Sequence, residues 1–241
     1  SGIGAAVAKQ LAREGCEHVV IFGRRLQKLE ATAEAIGSER CSAICVDVSS
    51  EEQVRDAVAL IEKRFGRIDL LANIAGISGP SARVEDYSVE FFRKVYEINV
   101  FGTFLTMKYC LPIMQRNKKG AIVNTCSCSG MRGYQLDIGY GSSKFAVQGM
   151  TMNAASENGR NGVRVNCYSP GWVDTGMLDS ILAQYEATGG QRLEKHELRN
   201  GTMDRPSTAE EMAAVVCFLL SDEASYVTGA NFVCDGGKTV G

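Results

Sequence analysis

The chain has 241 residues, of which 45% are hydrophobic and 22% charged, and its formal net charge is −2 at pH 7. This composition is typical of a globular protein and excludes disordered and fibrous classes, and the length fits one α/β domain over residues 1–241. The near-neutral charge argues against a nucleic-acid partner, and the longest apolar run, residues 212–220, is too short for a membrane helix.

Short β-branched runs alternate with longer amphipathic runs along the chain. In order, the predicted elements are helix 5–14, strand 19–23, helix 26–36, strand 42–46, helix 51–65, strand 69–73, helix 89–115, strand 121–125, helix 140–158, strand 163–168, helix 208–220 and strand 231–234. Nearly continuous apolar strands separated by such helices predict a doubly wound, Rossmann-type parallel sheet covered on both faces. Residues 175–205 show no clear periodicity and are predicted to form a substrate lid.

The first helix opens directly on Ser1-Gly2-Ile3-Gly4. A helix that begins on glycines offers free amide groups and a favourable dipole to a phosphate. A doubly wound domain starts with a strand, and a sheet without its first strand leaves backbone groups unpaired. We therefore expect the first strand and the first half of the glycine turn to precede the numbered sequence.

Several predicted strands end in polar or glycine residues, and these ends should meet in one ligand crevice. On the following helix, Tyr140 and Lys144 are four positions apart and so lie on one face. A lysine cation about 4 Å away, at an effective dielectric of about 20, contributes on the order of 4 kcal/mol and lowers a tyrosine pKa by up to roughly three units. Burial acts in the opposite direction.

Motifs spread over the whole chain carry a resemblance to one family. They are Ser1-Gly2-Ile3-Gly4 as the tail of a Thr-Gly-x-x-x-Gly-x-Gly turn, Asn73-Ile74-Ala75-Gly76, Asn99 before Val100, Ser127, the pair Tyr140-x-x-x-Lys144, Pro170-Gly171 with Thr175, and a closing segment with Asp235-Gly236-Gly237. Together and in this order they resemble the compact single-domain branch of the short-chain dehydrogenase/reductase family. Ile74 and the cysteines beside Ser127 depart from the family pattern without removing a catalytic group.

The resemblance implies a catalytic set of Asn99, Ser127, Tyr140 and Lys144. Tyr140 would exchange a proton with the substrate oxygen, Ser127 would hydrogen-bond that oxygen, and Lys144 would lower the pKa of Tyr140 and hold the nicotinamide ribose. Asn99 would position a water that links Lys144 to solvent. Ser129, Ser142 and Ser143 compete for the serine role, but only Ser127 has the family spacing to Tyr140.

The same resemblance implies a nicotinamide cofactor. The expected cofactor-binding residues are Ser1, Gly2, Ile3, Gly4, Gly23, Arg24, Arg25, Asp47, Val48, Asn73, Ala75, Gly76, Tyr140, Lys144, Pro170, Gly171, Val173 and Thr175. An acidic residue at the end of the second family strand would bind the ribose hydroxyls of NAD, but Gly23 stands there and Arg24 follows. A guanidinium suits a phosphate, so we expect NADP(H) in preference to NAD(H).

Substrate and assembly are less constrained. Expected substrate-lining residues are Met131, Tyr134, Gln135, Trp172, Met177 and Leu178, which favour a fairly apolar, cyclic or steroidal alcohol or ketone, although packing of the lid explains them equally well. By resemblance, the helices near residues 100–114 and 140–158 should pair across a dimer or tetramer. Two further interpretations stay open: a 3-oxoacyl-carrier-protein reductase, with Arg132 and Lys118-Lys119 as a carrier patch, and a non-catalytic NADP-sensing protein.

Cysteine and histidine usage points to a cytoplasmic protein without a metal. Nine cysteines are an odd number in a chain that needs no disulfides to build a core, and with only two histidines a zinc site is improbable. We therefore expect the cysteines to be small buried apolar residues. No export leader is recognisable.

Overall fold

A computed structural model describes residues 1–187, 194–195, 198 and 201–240 of the chain. In chain order its elements are α1 (Gly2–Arg13), β1 (Val19–Gly23), α2 (Leu26–Ile36), β2 (Cys41–Cys45), α3 (Glu51–Phe65), β3 (Leu70–Asn73), α4 (Val89–Tyr96), a π-helical turn (Glu97–Phe101), α5 (Gly102–Asn117), β4 (Gly120–Thr125), α6 (Ile138–Asn158), β5 (Val163–Pro170), α7 (Gly176–Ala187), α8 (Ala209–Leu220) and β6 (Asn231–Cys234).

All strand pairs are parallel, which confirms the predicted doubly wound fold. β1 pairs with β2, and β3, β4, β5 and β6 form a second group in that order. Asn73 lies beside Asn124, and Asn124 beside Cys167, so β3, β4 and β5 are in register at their carboxyl ends. The strand expected before residue 1 lies outside the numbered sequence and stays a prediction.

Helices cover both faces because successive side chains of β4 point to opposite sides of the sheet. Ile122 packs with Val54 of α3 and Leu105 of α5 in one buried cluster. The next residue, Val123, packs with Val216 of α8 and with residues of α1 and β5 in a second cluster. The sheet therefore has an apolar layer on each side and leaves the carboxyl ends of its strands for polar residues.

Two segments differ from the predicted elements. The single helix expected over 89–115 is interrupted by the π-helical turn Glu97–Phe101, which separates α4 from α5. The segment 175–205 contains helix α7, whose apolar residues form no clear one-sided pattern in the sequence; in the structure its Leu178 is 2% exposed, so tertiary contacts bury this residue. The rest of the expected lid falls largely on residues 188–193, 196–197 and 199–200, outside the described residues.

The nine cysteines are free thiols, and six of them are buried as expected, whereas Cys45 is exposed and Cys16 and Cys234 are partly exposed. Within the described ranges, no three histidine, cysteine or acidic residues are grouped as metal ligands. Over the same ranges, every helix is too short or too polar to span a bilayer.

Candidate active site

The carboxyl ends of β3 and β4 are tied together by side-chain hydrogen bonds. Asn73 Nδ2 donates to Asn124 Oδ1 at 2.8 Å, and the Thr125 hydroxyl donates to the carbonyl of Asn73 at 2.7 Å. Ser127, expected at the same edge, follows β4 by two residues. These bonds join the carboxyl ends of β3 and β4, from which the loops around the crevice extend.

Tyr140 and Lys144 lie on the first turns of α6, on one face of the helix as their spacing predicts. Lys144 is 3% exposed, and its Nζ lies 5.4 Å from the centre of the Tyr140 ring. The same ammonium donates to the carbonyl oxygen of Thr125 at 2.8 Å, which links α6 to the end of β4. The lysine is therefore a fixed, largely desolvated cation against the phenol ring.

Ser127 is the serine that faces Tyr140. It is buried, its Oγ accepts the Ser129 amide at 3.2 Å, and hydrogen bonding between Ser127 and Tyr140 acts to lower the pKa of the phenol. The competing hydroxyls are engaged elsewhere: Ser143 donates to the Tyr140 carbonyl at 2.7 Å, and Ser142 donates to the Ile138 carbonyl. Ser127 is therefore the serine whose side chain interacts with that of Tyr140, and its catalytic role stays a prediction.

Asn99 sits in the π-helical turn and is completely buried. Its Oδ1 accepts the Ile77 amide at 2.9 Å, and its Nδ2 donates to the Ile77 carbonyl and to Ser143 Oγ, both at 3.0 Å. π-Helical turns are frequent at functional sites because they redirect a side chain without ending the helix. Here the turn aims Asn99 between the loop after β3 and the residue that precedes Lys144.

Burial dominates the protonation of the pair. It raises the pKa of Tyr140, with Asp137 and the neighbouring cysteines acting in the same direction, and this outweighs the hydrogen bond from Ser127. It lowers the pKa of Lys144 to about 8, against smaller opposite effects of Cys126 and Cys167. Lys144 was expected to lower the pKa of Tyr140, but in the structure burial raises that pKa, and the Lys144 ammonium is hydrogen-bonded to the carbonyl of Thr125.

Glycines from distant parts of the chain form a cradle that a cofactor fits. Gly2 has φ of +53°, and a Cβ there would lie 3.4 Å from Thr175, while one at Gly4 would lie 3.7 Å from Ile74. At Gly76 a Cβ would meet Asn99 Oδ1 at 3.1 Å and Lys144 Nζ at 3.6 Å. The start of α1, the loop after β3 and the Pro170-to-Thr175 loop thus lie close together. Because glycines have no side chain, the phosphates of a ligand could approach the protein backbone closely there.

The remaining cofactor candidates fall into two groups. Pro170, Gly171 and Val173 continue β5 toward Thr175, and Val173 is held by a bridge to Ser207. Gly23, Arg24, Arg25, Asp47 and Val48 lie at the ends of β1 and β2, where Arg25 donates to the Ser1 hydroxyl at 2.8 Å. Ala75 lies between Ile74 and Gly76 in the loop after β3.

A cavity of about 370 Å³ lies at the β1 and β2 end of this crevice. Its lining residues are Arg24, Asp47, Ser49, Glu90, Arg93, Lys94, Glu97 and Ile98. Arg24 Nη1 is 3.9 Å from Asp47 Oδ2, and hydrogen bonds from Ser49 hold the pKa of Asp47 below its usual range. The sequence did not predict the contact between Arg24 and Asp47, nor that Arg93 and Lys94 of α4 line this cavity. These groups are distant from one another in the chain and meet only in the folded protein.

The expected substrate residues occupy the loops after β4 and β5. Tyr134 accepts a hydrogen bond from Arg132 at 2.9 Å, Trp172 lies against the ammonium of Lys238, and Met131 and Gln135 are exposed. Met177 is partly exposed, whereas Leu178 is buried in the body of the domain. Lys238 was missed because it follows the closing glycine motif without any pattern of its own.

None of these six residues lines a larger cavity, of about 860 Å³. It is bounded by α7, α8 and the segment before α8, with Asp179, Lys195 and Glu211 among its lining residues. No candidate catalytic residue lines it. Its charged walls are paired within the described residues: Lys195 with Asp174 and Asp179, and Arg205 with Glu211.

Comparisons with known proteins identify the family of the chain. A family model described as enoyl-(acyl carrier protein) reductase matches residues 1–239. Levodione reductase of Leifsonia aquatica is 37% identical over 99% of this chain and 91% of its own length, and the crystal structure of levodione reductase superposes with a TM-score of 0.93. Cyclohexanol dehydrogenase of an Acinetobacter strain is 36% identical over 99% of this chain and 91% of its own length.

Two solved structures with bound cofactors are also similar. NAD⁺-bound xylitol dehydrogenase has a TM-score of 0.90 at 32% identity, with 98% of this chain and 95% of that one covered. ElxO with NADP bound has a TM-score of 0.88 at 33% identity, with 98% and 94% covered. With the parallel sheet, the cradle of glycines and these relatives, the chain belongs to the short-chain dehydrogenase/reductase family and is a nicotinamide-dependent oxidoreductase of the alcohol dehydrogenase and ketoreductase type.

Proposed function

We propose that the chain transfers hydride between NADP(H) and the carbonyl or alcohol carbon of a small, fairly apolar substrate, with Asn99, Ser127, Tyr140 and Lys144 as its catalytic and positioning residues. One observation carries the proposal. Ser127 faces Tyr140, and the Lys144 ammonium lies 5.4 Å from the ring of that same tyrosine, beside a glycine cradle. A buried acid, a hydrogen-bond donor and a fixed cation are what carbonyl reduction requires.

Each residue has a distinct role. Because burial raises the pKa of Tyr140, the phenol keeps its proton near neutral pH and gives it to the carbonyl oxygen during reduction. Ser127 donates to the same oxygen and stabilises the charge that develops there. Lys144 places a positive charge against the phenol, which favours the phenolate left after proton transfer. A bound nicotinamide supplies the hydride.

Asn99 acts by positioning. Its three hydrogen bonds join the loop that carries Gly76 to Ser143, the neighbour of Lys144. Both hydrogens of its Nδ2 are donated and its Oδ1 accepts one amide, which ties the loop that carries Gly76 to the residue before Lys144. The water that it was expected to order would complete the path from Lys144 to solvent.

The preference for NADP(H) rests on the cavity at the ends of β1 and β2. Arg24 is followed by Arg25, and Arg93 and Lys94 of α4 line the same cavity, so several cations surround the position where a ribose phosphate would lie. Asp47, Glu90 and Glu97 balance them, and Asp47 is 3.9 Å from Arg24. At this distance Asp47 does not occupy the N–H groups of Arg24, so the guanidinium would be able to donate two hydrogen bonds to a ribose phosphate.

The apolar and aromatic walls of the loops after β4 and β5 favour a cyclic ketone or alcohol, and the relative that acts on cyclohexanol supports the same class. A carrier-protein substrate is less well supported. Lys118 and Lys119 precede β4 and so lie at the opposite edge of the sheet from Ser127, and Arg132 is bonded to Tyr134. A sensor without turnover would have no need of the complete catalytic set.

We also infer a cytoplasmic homo-oligomer. Four large apolar side chains are each about half exposed (46–56%): Phe101 at the end of the π-helical turn, Phe104 on α5, and Phe145 and Met152 on α6. Two neighbouring long helices that expose large apolar side chains form a surface suited to pairing with the same helices of another subunit.

The test is ketone-dependent oxidation of NADPH by the full-length protein and its Tyr140→Phe variant. We expect the variant to bind NADPH normally and to lose at least about a hundredfold in kcat, the usual contribution of a positioned general acid. Tyr109→Phe, which removes only a surface contact with Glu51, is the matched control. Comparable turnover by Tyr140→Phe would refute the assignment, and cofactor binding without turnover by the wild type would favour the sensor.

A further inference from the structure

Lys238 places a cation among the expected substrate residues. Its Nζ lies 4.0 Å from the centre of the Trp172 ring and 5.2 Å from that of Tyr134. Tyr134 precedes α6, Trp172 follows β5, and Lys238 follows β6, so three loops from the carboxyl edge of the sheet meet at this ammonium. An aromatic cage of this kind attracts the charge through the ring faces and leaves N–H groups available to donate.

The carboxylates near this ammonium are already engaged. Asp235 accepts the amides of Gly237 at 3.0 Å and Thr239 at 2.8 Å, and Asp137 is bonded by Ser129 and by the Gly141 amide. Among the described residues, the ion pairs do not include Lys238. Burial lowers the pKa of Lys238, and Arg132 acts in the same direction, while Cys128, Asp235 and Asp137 oppose them. The ammonium is thus partly desolvated and, among the described residues, forms no direct ion pair.

The same cation lies near residues that neighbour the catalytic ones. Tyr134 is hydrogen-bonded to Cys128, the residue after Ser127. Burial raises the pKa of Asp137 and Lys238 partly opposes this, while the charge of Asp137 adds to the effect of burial in raising the pKa of Tyr140. Tyr134 thus reaches from the residue beside Ser127 to Lys238, and a substrate that lies along it would extend from the catalytic groups toward that ammonium.

Building on the proposed function, we propose that Lys238 is a specificity residue that selects substrates with a second oxygen acceptor, a ketone or a carboxylate, remote from the carbonyl that is reduced. Its ammonium donates to that oxygen and fixes which end of the substrate faces Tyr140. A partly desolvated ammonium gains more from such a bond than a solvated one, because little water is displaced. Substrates without the second oxygen leave the donors unpaired.

The experiment compares cyclohexanone, 1,4-cyclohexanedione and 4-oxocyclohexanecarboxylate in wild type and in Lys238→Met. We expect the wild type to favour at least one of the two-oxygen ketones in kcat/KM by about tenfold or more, the usual effect of a hydrogen bond to a charged group. Lys238→Met should lose that preference and stay within about threefold of wild type on cyclohexanone. Lys238→Arg should retain it. The exposed Lys63→Met is the matched control.

Binding is followed independently through the fluorescence of Trp172, the single tryptophan, which touches Lys238. If a two-oxygen ketone binds selectively and Lys238→Met loses that binding, the inference about Lys238 is supported. If at the same time no ketone is turned over, the proposed reaction is refuted while the inference about Lys238 stands. Turnover with equal kcat/KM for all three ketones, or equal losses in Lys238→Met, refutes the inference and leaves the reaction intact. A preference for the carboxylate alone identifies an anionic substrate, and one for the dione identifies a neutral one.

Discussion

Replacement of Asn99 by alanine tests whether the π-helical turn holds the site together. The side chain is fully buried and makes three hydrogen bonds of 2.9–3.0 Å, two with the backbone of Ile77 and one with Ser143. Each such bond contributes about 1 kcal/mol net, and truncation leaves the Ile77 amide and carbonyl without these partners, so the loss of unfolding free energy is about 3 kcal/mol.

In a domain of this size, 1 kcal/mol corresponds to roughly 2–4 °C in Tm, so we expect Asn99→Ala to melt about 6–12 °C below wild type. Because the broken bonds join the Gly76 loop to the residue before Lys144, kcat should also fall by about tenfold or more at temperatures where the variant is folded. Thermal unfolding followed by circular dichroism and steady-state kinetics measure the two effects.

The controls separate the network from a general effect of losing an asparagine. Asn117→Ala, at the exposed end of α5, should melt within about 1 °C of wild type, since a surface substitution costs about 0.5 kcal/mol or less. Ser143→Ala, which removes one of the three bonds of Asn99, should lie between the two. An Asn99→Ala variant as stable and as active as Asn117→Ala would show that the network carries neither stability nor function.

The other predictions concern Arg24, Lys144 and Phe145. Arg24→Ala should raise the KM for NADPH by about tenfold or more and change that for NADH by less than about threefold; equal effects on both would refute the phosphate assignment. Burial lowers the pKa of Lys144 to about 8, so kcat/KM for ketone reduction should fall as pH rises through 8, and a flat profile to pH 10 would contradict the role of its charge. Unfolding restores the pKa of Lys144 to its usual value of 10.5, so the unfolded chain binds more protons between these two values. The free energy of unfolding should therefore increase as pH rises from about 8 to 10.5. Phe145→Glu should yield smaller particles in light scattering, whereas Lys63→Glu should not; an unchanged mass would place the subunit contact elsewhere.

Much of the fold follows from local pattern. The strands at 19–23 and 231–234 and the helices at 26–36 and 51–65 have the bounds that the sequence predicts, because each buries a continuous or one-sided apolar face. The spacing of Tyr140 and Lys144 likewise determines that they share a helix face. These features depend on residues a few positions apart, for which a single sequence is informative.

Other features depend on residues distant in the chain. Helix α7 and the π-helical turn, the contact of Arg24 with Asp47 and the cage around Lys238 arise only when separate elements pack. The pKa of Tyr140 shows the reason most clearly. Helical spacing by itself predicts an attraction by Lys144 that lowers it, but burial by the surrounding loops removes water from the phenol and raises it instead. Sequence spacing determines which groups share a helix face, whereas desolvation, and with it the protonation of the site, depends on the whole tertiary structure.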